Sequence, residues 1–111
     1  MSEPADSAAM SDQHPPPEPP EGVVSRVFVI CNKRGLHARA SAKFVQTVEK
    51  FDAEVRVKRN GESVGGTSIM GLMMLAATPG TAITVEATGR EAAAVVDALA
   101  ALIDARFGEA D

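Results

Sequence analysis

Cysteine, long apolar runs and aromatic side chains are scarce in this sequence of 111 residues. Cys31 is the single cysteine, so the chain cannot close an internal disulfide, and a reducing compartment such as the cytoplasm is expected. No apolar run approaches the roughly 18 residues of a membrane span, and the N-terminus lacks the basic and apolar regions of a signal peptide. We therefore expect a cytoplasmic protein that does not enter the membrane, in which Cys31 is a small buried hydrophobic residue.

Basic residues are missing from the first 22 positions, which hold five carboxylates and six of the seven prolines. Such a segment buries too little apolar surface to offset the entropy lost on ordering it. We predict a disordered, proline-rich acidic tail over residues 1–22, in which His14 is inert, and one folded domain over residues 23–111. The whole chain carries a net charge of -4, and the five carboxylates of this segment account for all of it, so the folded part is near neutral. This balance argues against nucleic acid as a partner.

The remaining sequence alternates between strand and helix patterns. Strands are predicted at residues 23–30, 53–58, 62–66 and 81–88, and helices at residues 38–50, 69–75 and about 92–107. Asn60-Gly61 predicts a two-residue hairpin turn, and Ser68 is the predicted N-cap of the second helix. The segment Thr88–Glu91 fits a capping box at the start of the third helix.

This succession predicts an α+β fold. Its order is βαββαβα, and three helices can cover one face of a four-stranded sheet whose other face is polar, which describes an open-faced β-sandwich. Periodicity alone leaves the order of the strands in the sheet open, and a ferredoxin-like order fits equally well.

The most informative stretch begins at Gly35, where an extended segment ends and a helix is predicted to start at Ala38. His37 lies at this junction. The first turn of a helix has unpaired N–H groups and a partial positive charge, so it favours an anion and disfavours a protonated imidazole. A neutral His37 could therefore act as a nucleophile for a phosphoryl group, and Arg39 could contact that group. Four basic residues surround the histidine: Lys33, Arg34, Arg39 and Lys43.

Two motifs in this chain resemble one known family. Gly35-Leu36-His37-Ala38-Arg39, followed by Ala42-Lys43-Phe44-Val45, resembles the active centre of the HPr family, the histidine phosphocarriers of the phosphoenolpyruvate-dependent phosphotransferase system. The segment Ser68-Ile69-Met70-Gly71-Leu72-Met73 resembles the regulatory serine segment of the same family and lies at the family's usual distance from the histidine. The resemblance covers about residues 23–107.

The resemblance implies an antiparallel sheet in the order 1-4-2-3 and a carrier that is not a turnover enzyme. It implies that His37 takes a phosphoryl group on its δ1 nitrogen from enzyme I and passes it to an IIA-type domain, while Arg39 stabilises the group. It also implies a monomer without metal or cofactor. Ala40 departs from the pattern, because the family more often has proline there; the loss of proline removes no donor or charge.

The second motif suggests regulation and docking. Ser68 is either a helix cap alone or also a phosphorylation site for an HPr serine kinase/phosphorylase, where a phosphoryl group would repel an acidic partner. Ile69, Met70 and Met73 share a short helix with Leu72 and Leu75, and since not all five can face the core, the first three are the candidate docking surface.

The sequence disfavours two other function classes. A ligand- or RNA-binding α/β module needs a basic or aromatic sheet face, yet the predicted outward residues mix both charges and the chain has no Tyr or Trp. A hydrolase needs a metal cluster, paired carboxylates or an activated Ser or Cys, none of which the sequence pattern indicates. The sequence does not distinguish sugar uptake from a regulatory branch such as the nitrogen-related system.

Overall fold

The computed structural model describes residues 22–75 and 77–109. The predicted tail, apart from Gly22, and with it His14, lies outside the described residues. The strands are β1 (Val23–Val29), β2 (Glu54–Arg59), β3 (Glu62–Gly65) and β4 (Ala82–Thr88). The helices are α1 (Ala38–Val48), α2 (Ile69–Met74) and α3 (Ala92–Asp104), and a short 3-10 turn follows at Arg106–Gly108. The predicted order βαββαβα is confirmed.

The four strands form one antiparallel sheet in the order β1-β4-β2-β3. The order implied by the family resemblance is therefore confirmed. Residues Asn60 and Gly61 connect β2 to β3 with φ angles of 53° and 82°, as the predicted two-residue hairpin turn requires. Strand β4 lies between β1 and β2, so Thr88 at its end is opposite both Val23 and Glu54.

The hydrophobic core lies between the sheet and the helices. On β4 the predicted inward residues Ile83, Val85 and Ala87 are all buried, and Phe44 of α1 and Leu99 of α3 are fully enclosed. Burying a side chain of this size contributes about 1.5–3 kcal/mol relative to exposure. The helices are therefore fixed on the sheet mainly through apolar contacts, and the loop that begins α1 is held at a defined place.

The opposite face of the sheet is less polar than predicted. Lys58 and Glu86 form an ion pair of 3.1 Å on it, but β1 contributes Val27 and Val29, which are 61% and 58% exposed. The prediction that this face is polar is thus wrong for β1. Its mixed charges still lack the basic excess that an RNA-binding sheet needs. None of the helices formed by residues 22–75 and 77–109 has the length and apolar character that crossing a bilayer requires.

The capping box predicted at Thr88–Glu91 is wrong. Gly89 turns the chain with a φ of 108°, so Thr88 remains the last residue of β4 and does not reach the start of α3. Glu91 itself is the N-cap of α3, without a capping side-chain bond, and its carboxylate accepts a hydrogen bond of 2.7 Å from the backbone N–H of Asp52. The glutamate therefore fastens the loop after α1.

One further prediction, the burial of Cys31, is wrong. Cys31 is exposed, because the alternation of β1 continues beyond the strand: Ile30 and Asn32 face inward and Cys31 faces outward. Its thiol lies 3.3 Å from the carbonyl oxygen of Ile103. The ammonium group of Lys43 donates a hydrogen bond of 2.6 Å to the carbonyl oxygen of Phe107 and so connects α1 to the turn after α3.

Candidate functional site

The loop before α1 is held in place by backbone hydrogen bonds to the segment between α2 and β4. The N–H of Leu36 donates to the carbonyl oxygen of Ala77 at 3.0 Å, and the N–H of Ile30 donates to that of Thr81 at 2.9 Å. Gly35 has a φ of 67°, and a Cβ at this position would lie 2.2 Å from the Ala77 oxygen. Only glycine fits here, so the approach of these two backbones fixes the position of the next residues.

His37 is the N-cap of α1. Its Nδ1 accepts a hydrogen bond of 3.2 Å from the backbone N–H of Arg39, and its carbonyl oxygen accepts one of 2.8 Å from Ser41. Imidazole thus takes the place of the Asn or Ser side chain that usually caps a helix. The N–H groups of Ala38 and Ala40 donate to no other described residue, and with the Arg39 amide they form the positive end of the helix.

The other ring nitrogen contacts a carboxylate from the far end of the chain. Nε2 of His37 lies 2.5 Å from Oε2 of Glu109, and the same oxygen accepts a hydrogen bond of 2.8 Å from the side-chain amide of the buried Asn32. These two hydrogen bonds, that of His37 being the larger effect, lower the pKa of Glu109 below its ordinary value of 4.5. Glu109 is therefore ionised at neutral pH.

The hydrogen-bond partners decide where the imidazole carries its proton. The Arg39 amide can only donate, so Nδ1 must present a lone pair, and an ionised Glu109 can only accept, so we assign the proton to Nε2. The ring is then neutral, with a lone pair on Nδ1 at the positive end of α1. This is the protonation state that a histidine nucleophile needs.

Glu109 reaches His37 because the chain reverses sharply after α3. Arg106, Phe107 and Gly108 have φ angles of 55°, 55° and 74°, a left-handed run that costs about 1–2 kcal/mol at each residue other than glycine. The side chain of Phe107 is almost completely buried, and burial of this ring offsets such a cost. Lys43 holds the same turn through the Phe107 carbonyl. The reversal is thus built into the core.

A rim of positive charge surrounds the histidine. The residues lining an open concavity of about 720 Å³ include His37, the predicted Arg39, and Glu109, together with the basic side chains of Lys33, Arg34 and Lys43. Within the part of the chain that the structure describes, Glu109 is the only carboxylate that lines the concavity. The structure thus brings His37 and Arg39 together, in surroundings that attract an anion of phosphate size.

The second motif does not line this concavity. Ser68 is the N-cap of α2, as predicted, and its exposed hydroxyl accepts a hydrogen bond of 2.9 Å from the N–H of Gly71. Helix α2 packs against α1, and Ala77 beyond its end bonds to the loop before His37. The two motifs are therefore neighbouring parts of one structure, although the serine is not part of the histidine site.

The exposed side of α2 is apolar. Ile69 and Met73 are each 39% exposed and Met70 is 68% exposed, whereas Leu72 is fully buried. Met74, at 73% exposed, belongs to the same surface and was missed in the sequence analysis. A helix of six residues turns only one narrow side to the core, so counting residues per turn would have included it.

Sequence reasoning also missed Glu109 and Asn32. Asn32 looks like an ordinary turn residue, and Gly108 indicates a chain reversal without indicating where the chain then goes. Within the described ranges, no three His, Cys, Asp or Glu side chains come close enough together to hold a metal ion.

The cap of α2 yields a stability prediction. Replacing Ser68 with alanine removes the acceptor for the Gly71 N–H, and we expect a loss of about 0.5–2 kcal/mol in the free energy of unfolding, measured by urea denaturation. Ser68→Asp keeps an acceptor and is expected to retain most of that stability. Equal destabilisation by both substitutions would contradict the capping role.

The lowered pKa of Glu109 yields a second prediction. A carboxyl group whose pKa is lower in the folded state stabilises the fold above its ordinary value of 4.5, and this contribution is lost as the pH falls through the lowered value. We expect Glu109→Gln to be less stable than the wild type at pH 7 and the difference to shrink as the pH falls below 4.5. Urea denaturation at both pH values measures this, with the exposed Glu54→Gln as control; a pH-independent difference would contradict it.

The fold is a four-stranded open-faced α+β sandwich, and the site is a histidine at the start of its first helix. These two features define the class of proteins to which the chain is similar. A family model described as the phosphorylation site of the HPr component of the phosphotransferase system matches residues 24–105. The chain is 54% identical over 82 residues to phosphocarrier protein HPr of Neisseria meningitidis serogroup A, covering 74% of this chain and 92% of that protein. It is 48% identical over 89 residues to phosphocarrier protein HPr of Cupriavidus necator, covering 80% and 100%.

Solved structures agree with these sequence relatives. A crystal structure of HPr from Thermoanaerobacter tengcongensis superposes with a TM-score of 0.75 at 38% identity, covering 79% of this chain and 99% of that one. The chain belongs to the HPr family of phosphocarrier proteins of the phosphotransferase system. The resemblance drawn from the two sequence motifs is confirmed.

Proposed function

We propose that His37 accepts a phosphoryl group from phosphorylated enzyme I and passes it to IIA-type domains, so that the chain is a covalent carrier and not a turnover enzyme. The observation that carries this proposal is the position of His37 Nδ1 at the start of α1, where its lone pair accepts the N–H of Arg39 next to the unpaired N–H groups of Ala38 and Ala40. Membership of the family supports enzyme I as the donor class.

The proposed reaction is a direct phosphoryl exchange between two histidines. The Nδ1 lone pair attacks phosphorus, an N–P bond forms on His37, and the N–P bond of the donor histidine breaks with its electron pair returning to the donor ring. Nδ1 then no longer accepts the Arg39 amide, and the phosphoryl oxygens can accept that N–H and those of Ala38 and Ala40 instead. The helix cap changes from imidazole to phosphate without loss of a partner.

The strength of this binding suits a relay. A helix N-terminus stabilises an exposed anion by about 0.3–1 kcal/mol, and up to about 2 kcal/mol in favourable geometry. We propose that the Arg39 guanidinium adds a charge-assisted hydrogen bond worth about 1.5–3 kcal/mol. Such values orient a phosphoryl group and still let it leave. Ala40 keeps the N–H that the proline common in the family would lack.

Regulation and docking are proposed for the second motif. A phosphoryl group on Ser68, added by an HPr serine kinase/phosphorylase in a host that has one, would bring about -1.5 to -2 charges to the exposed start of α2. This charge would weaken docking of acidic partner surfaces, for which the exposed residues Ile69, Met70 and Met73 supply the apolar contact.

We further propose the setting in which this carrier acts. Residues 23–111 form the carrier domain, residues 1–22 form the acidic tail, and the protein works as a cytoplasmic monomer that needs no cofactor. The match of the family model to residues 24–105 supports the bounds of the carrier domain.

The test is labelling with phosphoenolpyruvate and purified enzyme I. The wild type is expected to form one acid-labile, alkali-stable phosphoryl adduct, which is the signature of phosphohistidine. His37→Ala is expected to form none, whereas His14→Ala, which removes the other histidine of the chain, keeps full labelling. Labelling that survives His37→Ala would refute the proposed function.

A further inference from the structure

The contact between Glu109 and His37 is not explained by phosphate binding. A carboxylate beside a site for an anion opposes the anion electrostatically. Yet Glu109 is held there by two groups: Nε2 of His37 at 2.5 Å and the side-chain amide of Asn32 at 2.8 Å. Its side chain is only 15% exposed. Because Glu109 contacts the imidazole of His37, its role concerns the imidazole ring and not the binding of the phosphoryl group.

We propose that Glu109 is a positioning residue that keeps the proton on Nε2 of His37 before, during and after phosphoryl transfer, and thereby directs the phosphoryl group to Nδ1. The inference rests on the proposed function and adds the residue that selects the reacting nitrogen. Nε2 is engaged by the carboxylate, so only Nδ1 presents a lone pair to a phosphoryl donor.

The charge changes of the reaction explain why a carboxylate is suited to this role. When Nδ1 of the neutral ring attacks the phosphorus of a phosphohistidine donor, the ring keeps its Nε2 proton and becomes positively charged. Glu109 faces that charge directly. When the group passes on, the N–P bond breaks, the electron pair returns to Nδ1, and the same neutral tautomer is restored, so no proton enters or leaves.

The Nε2 proton also decides whether the phosphoryl group can leave. A ring that carries this proton departs as neutral imidazole, whereas a ring that has lost it would have to depart as an anion. The surrounding cations Lys33, Arg34, Arg39 and Lys43, from the loop and from α1, favour loss of the proton. Glu109, the one carboxylate that lines the concavity among the described residues, counters them, in the way that a carboxylate orients and stabilises the histidine of a catalytic triad.

The folded core fixes both Asn32, which binds the carboxylate, and the turn that carries Glu109. Asn32 is fully buried, and its amide also donates to the carbonyl oxygen of Gly35 at 2.8 Å, which ties the carboxylate to the loop before His37. The buried ring of Phe107 and its bond to Lys43 fix the turn that delivers Glu109. The alignment of carboxylate and imidazole is therefore a property of the folded core and not of a loose chain end.

The experiment compares wild type, Glu109→Gln and Glu109→Ala after phosphorylation with enzyme I and excess phosphoenolpyruvate. Glu109→Gln keeps an oxygen acceptor without the charge, and Glu54→Gln is the matched control because it removes an exposed carboxylate from β2. Nitrogen-15 NMR of the imidazole reports the tautomer of free His37 and the titration of Nε2 in the phosphorylated protein. Phosphorus-31 NMR distinguishes the Nδ1 adduct from the Nε2 adduct.

In the wild type and in Glu54→Gln we expect the Nε2–H tautomer and a pure Nδ1 adduct. Both Glu109 variants are expected to release the phospho-ring proton at lower pH, and above that pH their rate of phosphoryl transfer back to enzyme I falls about tenfold relative to wild type, as loss of a charge-assisted hydrogen bond implies. Glu109→Ala is also expected to give a mixture of tautomers and some Nε2 adduct.

The outcomes separate the two proposals. Failure of wild-type His37 to take up phosphate would refute the proposed function and this inference with it. A wild type that forms the Nδ1 adduct, with Glu109 variants that match it in tautomer, titration and transfer rate, would refute the role of Glu109 alone. A variant that is merely destabilised loses free energy of unfolding but keeps the wild-type titration of the phosphorylated ring, which would also refute it.

Discussion

Replacing His37 with asparagine is expected to abolish phosphoryl uptake completely while α1 stays capped. In the structure one atom, Nδ1 of His37, has two functions: it is the proposed nucleophile, and it accepts the Arg39 amide at the start of the helix. Asparagine supplies an oxygen acceptor at nearly the same place but has no nucleophilic nitrogen. The substitution therefore removes the chemistry and keeps the helix cap.

The comparison with His37→Ala makes this separation measurable. Alanine removes both the nucleophile and the cap, so we expect it to lower the free energy of unfolding by about 0.5–2 kcal/mol relative to His37→Asn. Both variants should remain unlabelled by enzyme I and phosphoenolpyruvate. Labelling of His37→Asn would place the acceptor elsewhere, and equal stability of the two variants would show that Nδ1 does not act as a cap.

Most strands, helices and turns could be predicted because short stretches of sequence determine them. Asn60-Gly61 can adopt the positive φ angles of a tight hairpin turn, and Ile83, Val85 and Ala87 alternate as one buried face. The strand order needed the family resemblance, because pairing of β1 with β4 joins residues about 60 positions apart and leaves no periodic signal. The capping box failed for a local reason: Gly89 has a φ of 108°, and the turn there keeps Thr88 in the sheet.

Only those residues of the site that are close together in the sequence could be predicted. His37 and Arg39 are two residues apart and a helix start brings them together, so a pattern of adjacent residues is sufficient. Glu109 is 72 positions from His37, and its place depends on left-handed angles at Arg106 and Phe107. Residues other than glycine rarely adopt these angles, and burial of Phe107 is what holds them. Nothing in the neighbouring sequence indicates this.

Gly35→Ala is expected to damage both the fold and the transfer reaction, because this glycine sets the distance between the His37 loop and the segment before β4. A residue with a side chain at a φ of 67° is strained by about 1–3 kcal/mol, and its Cβ would overlap the Ala77 oxygen, which lies 2.2 Å away. Relief of the overlap requires the backbones to separate, which breaks the hydrogen bond from Leu36 to Ala77, worth about 0.5–1.5 kcal/mol.

The functional consequence follows from the same movement. His37 is two residues beyond Gly35, so a separated loop displaces Nδ1 from the first-turn amides, and a displacement of about 1 Å can lower a rate about 100-fold. Gly61→Ala is the matched control, since Gly61 also has a positive φ, of 82°, but a Cβ there meets no atom within 4 Å.

We expect Gly61→Ala to lower the free energy of unfolding by the strain alone and to leave the transfer rate unchanged. Gly35→Ala should lower the free energy of unfolding further and slow phosphoryl uptake from enzyme I by about 100-fold under conditions where the variant is folded. If the two variants lost equal stability and both kept the wild-type rate, the contact between Gly35 and Ala77 would not determine where the histidine lies. Loss of stability in both with loss of rate only in Gly35→Ala would show that the position of the loop, and not the strength of the fold, governs the reaction.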